Sequence, residues 1–580
     1  MFAQRLKKSC DQRFFVLRLI ILLLSFISAV RLFQIQILDH ARYKARAFDQ
    51  YSDLSSLPAR RGEILTADGY PLASNQTSYL VYAEPKKISN KSEVLEKISS
   101  VLPEAEREKQ SQKMLELLNL DLYWVALVHN LTPKQRDQLA QLNIAGIGFE
   151  EEPVRFYPEG TLAAHVLGFV AEKDTGEKGG YFGIEAAFDG ELKGKHGKVL
   201  EERDALGSSI LAGGFLKVAP DNGKDVYLTL DRTVQYIIEQ RLREGVEQYD
   251  AADGVVIVSD PLDGSILGMA TFPTYDPSDL DFAQVTVSER SGRKSHGYKN
   301  LAISALYEPG SVMKPLTVSS AIDLGEAVPE TIYYDNGPVS YSGYVIDNWD
   351  GKHFGQMNII LLLQKSNNIG AAWVGHLVGS ERLAAYFSRY GIGGLSGIDL
   401  EGEETGTLRP YKDWTDIDLA TASFGQGILA SPLQVLYAFN VFANGGILYK
   451  PRIVAKIVSQ DKASLIPAKE VGRVVKKETA DIVSDLLVKA VEGGESKYFN
   501  IKNYVVAGKT GTAQIAVAGG YDPTKTNATF VGYLPASKKF SMIVKLREPQ
   551  TSPYAAETAV PLWMTIAEDL AKYFSIPPDK

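Results

Sequence analysis

Three short strings, far apart in a chain of 580 residues, limit what this protein can fold into more than any other feature. They are Ser311-Val312-Met313-Lys314, Ser366-Asn367-Asn368 and Lys509-Thr510-Gly511-Thr512, in that order. Together they supply a serine nucleophile, an amine base, a proton-passing hydroxyl with an amide anchor, and a cationic strand for a substrate carboxylate. To act together they must meet in one cleft, and the chemistry they fit is serine acyl transfer.

The pattern S-x-x-K also occurs at Ser291 to Lys294 and at Ser459 to Lys462, so local context has to choose among three serines. Glu308-Pro309-Gly310 precedes Ser311. An apolar run with Leu316, Val318, Ala321, Ile322 and Leu324 follows and ends at Gly325, which suits a helix C-cap. Ser311 therefore starts a helix, and Lys314, three residues on, shares its face. Pro315 cannot donate a backbone hydrogen bond, so the motif occupies the first turn or a tightened version of it. Ser291-Gly292-Arg293-Lys294 lies in a charged, Gly-containing stretch. Ser459-Gln460-Asp461-Lys462 looks like a turn after the strand-like run Ile453 to Val458.

A lysine that serves as base at neutral pH must lose most of its ordinary proton affinity. The gap between a reference pKa near ~10.4 and a working value near ~7 to 8 is roughly 4 kcal/mol. Burial and a second cation would close it, and Lys509 is the candidate neighbour. Ser366 follows a helical Ile359 to Leu363 segment and precedes a helix-like run through Ala371, Ala372, Val374 and Leu377. A loop there would aim Ser366 and Asn368 into the cleft, although S-N-N is also an ordinary helix cap. Tyr504 to Ala513 reads as a strand with Gly511 inside it, a mark of close ligand approach. Ala528 to Tyr533 and then Lys539 to Leu546 follow as its neighbours. Lys509, Thr510 and Thr512 would hold a carboxylate, and the strand edge would bind an extended peptide.

These motifs resemble those of the penicillin-binding proteins, the acyl-serine D,D-transpeptidases of bacterial wall synthesis. Gly425-Gln426-Gly427, Ser431-Pro432-Leu433-Gln434, Ala443-Asn444-Gly445-Gly446 and Thr229-Leu230-Asp231 are similar to further stretches of the same catalytic domain. Upstream, Arg60-Arg61-Gly62 through Asp68-Gly69 to Leu72-Ala73, Arg155 through Tyr157-Pro158 to His165-Val166-Leu167-Gly168, and Gly183-Ile184-Glu185 resemble the non-catalytic module of the class B branch. Val312 replaces the usual threonine. Thr66-Ala67 stands where the family often has Asp-Arg, which puts an inferred pedestal salt bridge in question.

The amino terminus sets the address. Residues 1–13 carry Arg5, Lys7, Lys8 and Arg13 against Asp11, and 14–38 is largely apolar, long enough to span ~30 Å of hydrocarbon. Arg18 and Arg31 must snorkel. The basic leader predicts a cytoplasmic amino terminus, so 1–13 is a cytoplasmic tail, 14–38 an uncleaved transmembrane helix, and the rest extracytoplasmic, on the periplasmic or external face. The lone Cys10 lies in the tail, leaving the exported part without disulfides. A net charge of -8 leaves no footprint for nucleic acid. Seven histidines without metal-site spacing predict no metal and no cofactor, and His165 reads as structural.

Residues 39–220 alternate short strands with charged helices such as Glu93 to Val101 and Glu104 to Leu118, an elongated pedestal and interaction module. A boundary falls near Asp221-Asn222-Gly223-Lys224. From there Val226 to Leu230, a helix at Val234 to Val246, Gly254 to Asp260 and Ser265 to Thr271 give a β-α-β-β start to an α+β domain over 221–580, closed by an amphipathic helix from Ala559 to Tyr573. The resemblance thus implies a β-lactamase-like transpeptidase domain on a dimerisation-type pedestal.

No region between the anchor and Arg60 would house a glycosyltransferase domain, and the chain ends soon after the catalytic module, so a monofunctional class B enzyme is expected. Glu308-Pro309 and Lys365-Ser366-Asn367-Asn368-Ile369-Gly370 look more like the cell-division members than the elongation members. The resemblance implies that Lys314 deprotonates Ser311, which attacks the D-Ala-D-Ala carbonyl of a stem peptide. The N–H groups of Ser311 and Thr512 would hold the oxyanion, and Ser366 would protonate the departing D-Ala. Asn368, Lys509, Thr510, Gly511 and Thr512 would bind substrate. β-Lactams would stop at the acyl-enzyme, and the implied partners are a membrane glycosyltransferase and division-complex proteins. An elongation enzyme, a D,D-carboxypeptidase, a β-lactamase or β-lactam sensor, and a catalytically silent division scaffold are the alternatives.

Overall fold

A computed structural model describes residues 2–173, 178–202, 215–279, 297–460, 462–499, 501–517 and 520–580. The chain forms two compact units, one of Met1–Ala59 with Lys195–Asn222 and the other of Arg60–Gly194 with Gly223–Lys580.

In the first unit, helix Phe2–Phe33 runs into the π-helical turn Gln34–Leu38 and then helix His40–Tyr51. Within it Arg13–Leu38 is 26 residues of helix, long and apolar enough to cross a membrane, with none of it buried in protein. At 1.5 Å per residue that stretch reaches about 39 Å, more than a ~30 Å hydrocarbon core requires. Arg31 Nη1 donates to Gln34 Oε1 at 2.7 Å near its far end. Strand Gly197–Glu202 lies between Ser52–Leu57 and Phe215–Val218 in a three-stranded sheet. Lys195 and Asp221 exchange backbone hydrogen bonds at 2.7 and 2.9 Å where the chain leaves this unit.

In the second unit, Pro71–Ala83 pairs antiparallel with both Val125–Leu131 and Ile147–Phe156. Helices Lys91–Val101 and Glu104–Leu118 close a small core around Val94, Ile98, Met114 and Leu118. The upstream motifs converge here. Glu185, fully buried, accepts from Arg61 Nε and Arg155 Nε, each at 2.6 Å, and Arg61 Nη1 reaches Asp189 at 2.7 Å. Thr66 takes no part in this ion-pair network. Its hydroxyl donates to Asp68 and accepts from Tyr70 N at 3.0 Å, which ties a turn.

Asp225–Leu228 joins that region to the rest of the unit, pairing parallel with Ile64–Leu65 and antiparallel with Val454–Ser459. Helix Arg232–Gln248 follows, capped by the Asp231 side chain on Thr233 N and Val234 N. The central five-stranded sheet comprises β1 (Asp253–Ser259), β2 (Ile266–Phe272), β3 (Ala507–Val517), β4 (Gly520–Tyr533) and β5 (Ser541–Arg547), in the order β2-β1-β5-β4-β3 and antiparallel throughout. Its alternation sends Val256, Val258, Phe530, Met542 and Val544 to a core shared with helices Arg232–Gln248 and Ala559–Tyr573. Trp563, fully buried there, donates from Nε1 to Met542 O at 2.8 Å. The opposite face, including Ile257, Val531 and Ile543, packs on the helices that carry the first two motifs.

The third motif's strand begins at Ala507, three residues later than the pattern suggests. Tyr504 donates its hydroxyl to Ile576 O at 2.9 Å and Val505 its N–H to Asp579 at 2.8 Å, so the carboxy-terminal segment occupies those groups. Of the competing S-x-x-K strings, Ser291 and Lys294 lie outside the described residues. Ser459 and Lys462 face each other across a hairpin of Val454–Ser459 and Lys462–Leu465.

Candidate active site

Ser311 sits in a tightened turn. Gly310–Met313 is 3-10 helix, Lys314–Leu324 continues as α-helix with Pro315 in its first turn, and Gly325 ends it at φ 78°. The preceding loop is held closely: Gly310 N donates to Gly425 O at 3.0 Å, and a Cβ on Gly425 would stand 2.2 Å from Gly310 O. Glycine at φ 84° is thus required at Gly425 on two counts. Ser311 is partly exposed, whereas Val312, Met313 and Lys314 are buried.

The Lys314 ammonium donates to Ser366 O, to Ser366 Oγ at 3.2 Å and to Asn368 Oδ1 at 2.8 Å. No hydrogen bond joins it to the Ser311 hydroxyl among the described residues. Ser366 lies between helices Ile359–Gln364 and Asn368–Val378, in a left-handed conformation at φ 52° that a non-glycine residue rarely holds. Asn367 is the helix cap, its side chain accepting from Gly370 N at 2.6 Å, while Asn368 and Ser366 turn to Lys314. The S-N-N string is thus a cap and a cleft wall at once.

Lys509 approaches from β3. It donates to Ser366 Oγ at 3.1 Å and to Thr510 Oγ1 at 3.1 Å, so one serine hydroxyl receives both lysines. Thr510 Oγ1 donates to Glu495 Oε2 at 2.9 Å, and Thr512 Oγ1 accepts from Ala555 N at 3.0 Å. Gly511 lets the strand pass the nucleophile turn, since a Cβ there would lie 2.8 Å from Pro309 O and 3.0 Å from Val312 Cγ1. Burial, and then the charge of Lys509, hold Lys314 well below the usual lysine range, while Glu495 opposes them. Lys509 is lowered by its own burial, again against Glu495. Both causes that the sequence pointed to, burial and a second lysine, act on Lys314 in the direction that a lysine base needs.

Several residues outside the motifs hold this arrangement. Asp335, fully buried, accepts from Asn367 Nδ2 at 2.7 Å, Asn348 Nδ2 at 3.0 Å and His353 Nδ1 at 3.0 Å, and Asn348 Oδ1 accepts from Asn368 N at 3.0 Å. Glu308 accepts from Gly427 N at 2.9 Å and from the Tyr521 hydroxyl, tying the loop before Ser311 to β4. The exposed rings of Trp349 and Tyr554 meet edge to face at 5.5 Å. None of these carries a local sequence signal apart from Glu308, which stands beside the motif. Among the described residues no cluster of His, Cys, Asp and Glu is placed to hold a metal. A separate cavity of about 440 Å³, lined by Tyr307, Glu308, Asn527 and Lys545 among others, includes none of the motif residues.

The family model of the penicillin binding protein transpeptidase domain matches residues 254–568, and that of the penicillin-binding protein dimerisation domain matches 56–228. The chain belongs to the class B penicillin-binding proteins. Stage V sporulation protein D of Bacillus subtilis is 29% identical over 95% of this chain and 84% of its own length. The probable peptidoglycan D,D-transpeptidase PenA of Neisseria meningitidis is 30% identical over 86% of this chain and 82% of its own. The peptidoglycan D,D-transpeptidase FtsI of Escherichia coli is 26% identical over 90% and 84%. A solved peptidoglycan synthetase of Bifidobacterium adolescentis superposes with a TM-score of 0.71 at 25% identity, covering 91% of this chain and 98% of that one. As a class B penicillin-binding protein the chain is a serine-type D,D-transpeptidase with a transpeptidase domain of α+β fold and an N-terminal dimerisation domain.

Proposed function

We propose that Ser311 is the nucleophile, Lys314 its base and Ser366 the proton relay, acting on the penultimate D-Ala carbonyl of a peptidoglycan stem peptide. The observation that carries this is Ser366 Oγ held between Lys314 at 3.2 Å and Lys509 at 3.1 Å, with Ser311 partly exposed one turn from Lys314. The hydroxyl of Ser311 attacks the carbonyl as Lys314 takes its proton. The oxyanion is received by the N–H groups of Ser311 and Thr512. Ser366 then delivers a proton to the departing D-Ala, and an amine of a neighbouring stem displaces Ser311 to form the crosslink. Asn368 binds the substrate backbone. Lys509 and Thr512 take its terminal carboxylate, Thr510 Oγ1 steadies Lys509 by accepting from it, and Gly511 gives clearance at the strand edge.

A β-lactam carries the first half of this reaction and stops, so labelling with a fluorescent penicillin is the direct test. Ser311→Ala is expected to abolish covalent label, and a labelled Ser311→Ala protein would overturn the assignment.

The setting we infer is septal wall synthesis, with residues 1–13 cytoplasmic, 14–38 spanning the membrane, 39–220 a pedestal and 221–580 the extracytoplasmic transpeptidase domain. Support comes from the basic leader before an apolar helix, from the dimerisation match over 56–228, and from the resemblance of Glu308-Pro309 and of Lys365-Ser366-Asn367-Asn368-Ile369-Gly370 to the cell-division members. A membrane glycosyltransferase and division proteins are the partners this requires. A fluorescent fusion should collect at the division site; uniform side-wall fluorescence would move the reading to elongation.

A further inference from the structure

The contacts around Ser366 and Lys509 continue beyond the motifs to an acidic residue. Glu495 opens the 3-10 turn Glu495–Phe499, just after helix Lys477–Gly493. Its Oε2 accepts the Thr510 hydroxyl at 2.9 Å; Thr510 Oγ1 accepts from Lys509 Nζ at 3.1 Å; Lys509 donates onward to Ser366 Oγ, which also receives Lys314. A threonine hydroxyl has one proton to give. With that proton on Glu495, Thr510 presents only lone pairs to Lys509, and the direction of the chain is fixed.

A buried lysine that must stay charged, as Lys509 must for the substrate carboxylate, needs an anion. Taking an ion out of water costs several kcal/mol after relaxation, and two like charges raise that cost. Among the described residues neither Lys314 nor Lys509 has a carboxylate within ion-pair distance. Besides their mutual repulsion, the charge that bears on both Lys314 and Lys509 is that of Glu495. Other charges near Glu495 are engaged elsewhere: Lys497 lies over the Tyr498 ring, and Glu492 pairs with Lys580 at 2.9 Å.

We propose that Glu495 is the counter-ion of the cleft: held through the Thr510 hydroxyl, it keeps Lys509 charged for the substrate carboxylate and sets the pH window in which Lys314 serves as base. It touches neither lysine and no reacting atom, so it is a positioning residue. The proposal rests on the roles given above to Ser311, Lys314 and Lys509.

The test is the pH profile of acylation by a fluorescent penicillin. Acylation needs Lys314 neutral, which gives an acid limb, and Lys509 charged, which gives an alkaline limb. Glu495→Gln keeps an acceptor for Thr510 but removes the charge. Both lysines then lose protons more readily, and both limbs should move to lower pH by on the order of one unit. Glu495→Asp, which keeps the charge, should leave the limbs near their wild-type positions whatever happens to the amplitude.

A Glu495→Gln profile that is lower at every pH with both limbs unmoved would overturn the proposal in favour of a purely structural contact. So would equal displacement in Glu495→Gln and Glu495→Asp. Should Glu495→Gln fail to fold, Glu495→Ala carries the same expectation. Label on Ser311→Ala would instead sink the underlying nucleophile assignment, so the two failures are separable.

Discussion

Lys314 Nζ donates to Asn368 Oδ1 at 2.8 Å, which puts a neutral amide oxygen where a carboxylate would lock the lysine in its charged form. Burial and Lys509 already hold this lysine well below its ordinary range. Asn368→Asp would set an anion against it and raise it again. We expect penicillin acylation near neutral pH to fall by about a hundredfold and to recover as pH rises, because deprotonation then moves to more alkaline pH. Stopped-flow acylation at several pH values reads this; a uniform loss at all pH would mean that Asn368 acts through substrate contact alone.

Gly511 is the point at which the strand edge passes the nucleophile turn. A Cβ at 2.8 Å from Pro309 O meets backbone, which cannot rotate away as a side-chain tip can. Gly511→Ala should therefore displace β3 from Ser311, slow acylation by more than tenfold, and cost on the order of 1–3 kcal/mol of stability. Acylation rate and thermal midpoint measured on one preparation check both parts.

These two sites show what a sequence pattern reveals and what it hides. The Gly325 cap, the helix Ala559–Tyr573 and the tightened turn demanded by Pro315 are local, and each was legible because cap, period and proline geometry act within one turn. The pairing of Lys314 with Lys509 followed from chemistry, since a lysine base needs a second cation or burial. Asp335 and Glu495 were not legible. Each is one carboxylate in a stretch without periodicity, and its role exists only because the chain folds back over Asn367 or Thr510. The pattern starts β3 three residues too soon for the same reason, the competitors for Tyr504 and Val505 being Ile576 and Asp579.

Glu185 is the centre of the ion-pair network formed by the upstream motifs. It is fully buried and receives Arg61 and Arg155, which are themselves 11% and 5% exposed. Removing Glu185 leaves buried Arg155 without a carboxylate and Arg61 with Asp189 alone, and breaking a buried pair in this way costs about 3–5 kcal/mol. Glu185→Gln should lower the unfolding midpoint accordingly, whereas Glu93→Gln, which breaks the exposed pair with Lys97, should change it hardly at all. Scanning calorimetry on the two variants makes the comparison.

His165 is buried, donates to Gly297 O at 3.1 Å and meets the edge of Tyr275 at 5.0 Å between ring centres. Burial pushes its pKa down to about 4, although the contact with Gly297 O works in the other direction. An unfolded histidine titrates near ~6.5, so above that pH the residue is neutral in both states and adds no pH dependence. As pH falls from about 6.5 the unfolded chain takes up the proton first, and stability is lost until the folded protein also protonates near 4, a loss of about 3 kcal/mol in all. His165→Gln retains a donor for Gly297 O and has no such titration. The gap in unfolding free energy between wild type and His165→Gln should therefore change between pH 7 and pH 4.5, with wild type losing more. A gap of constant size would show that His165 is already solvated in the folded protein.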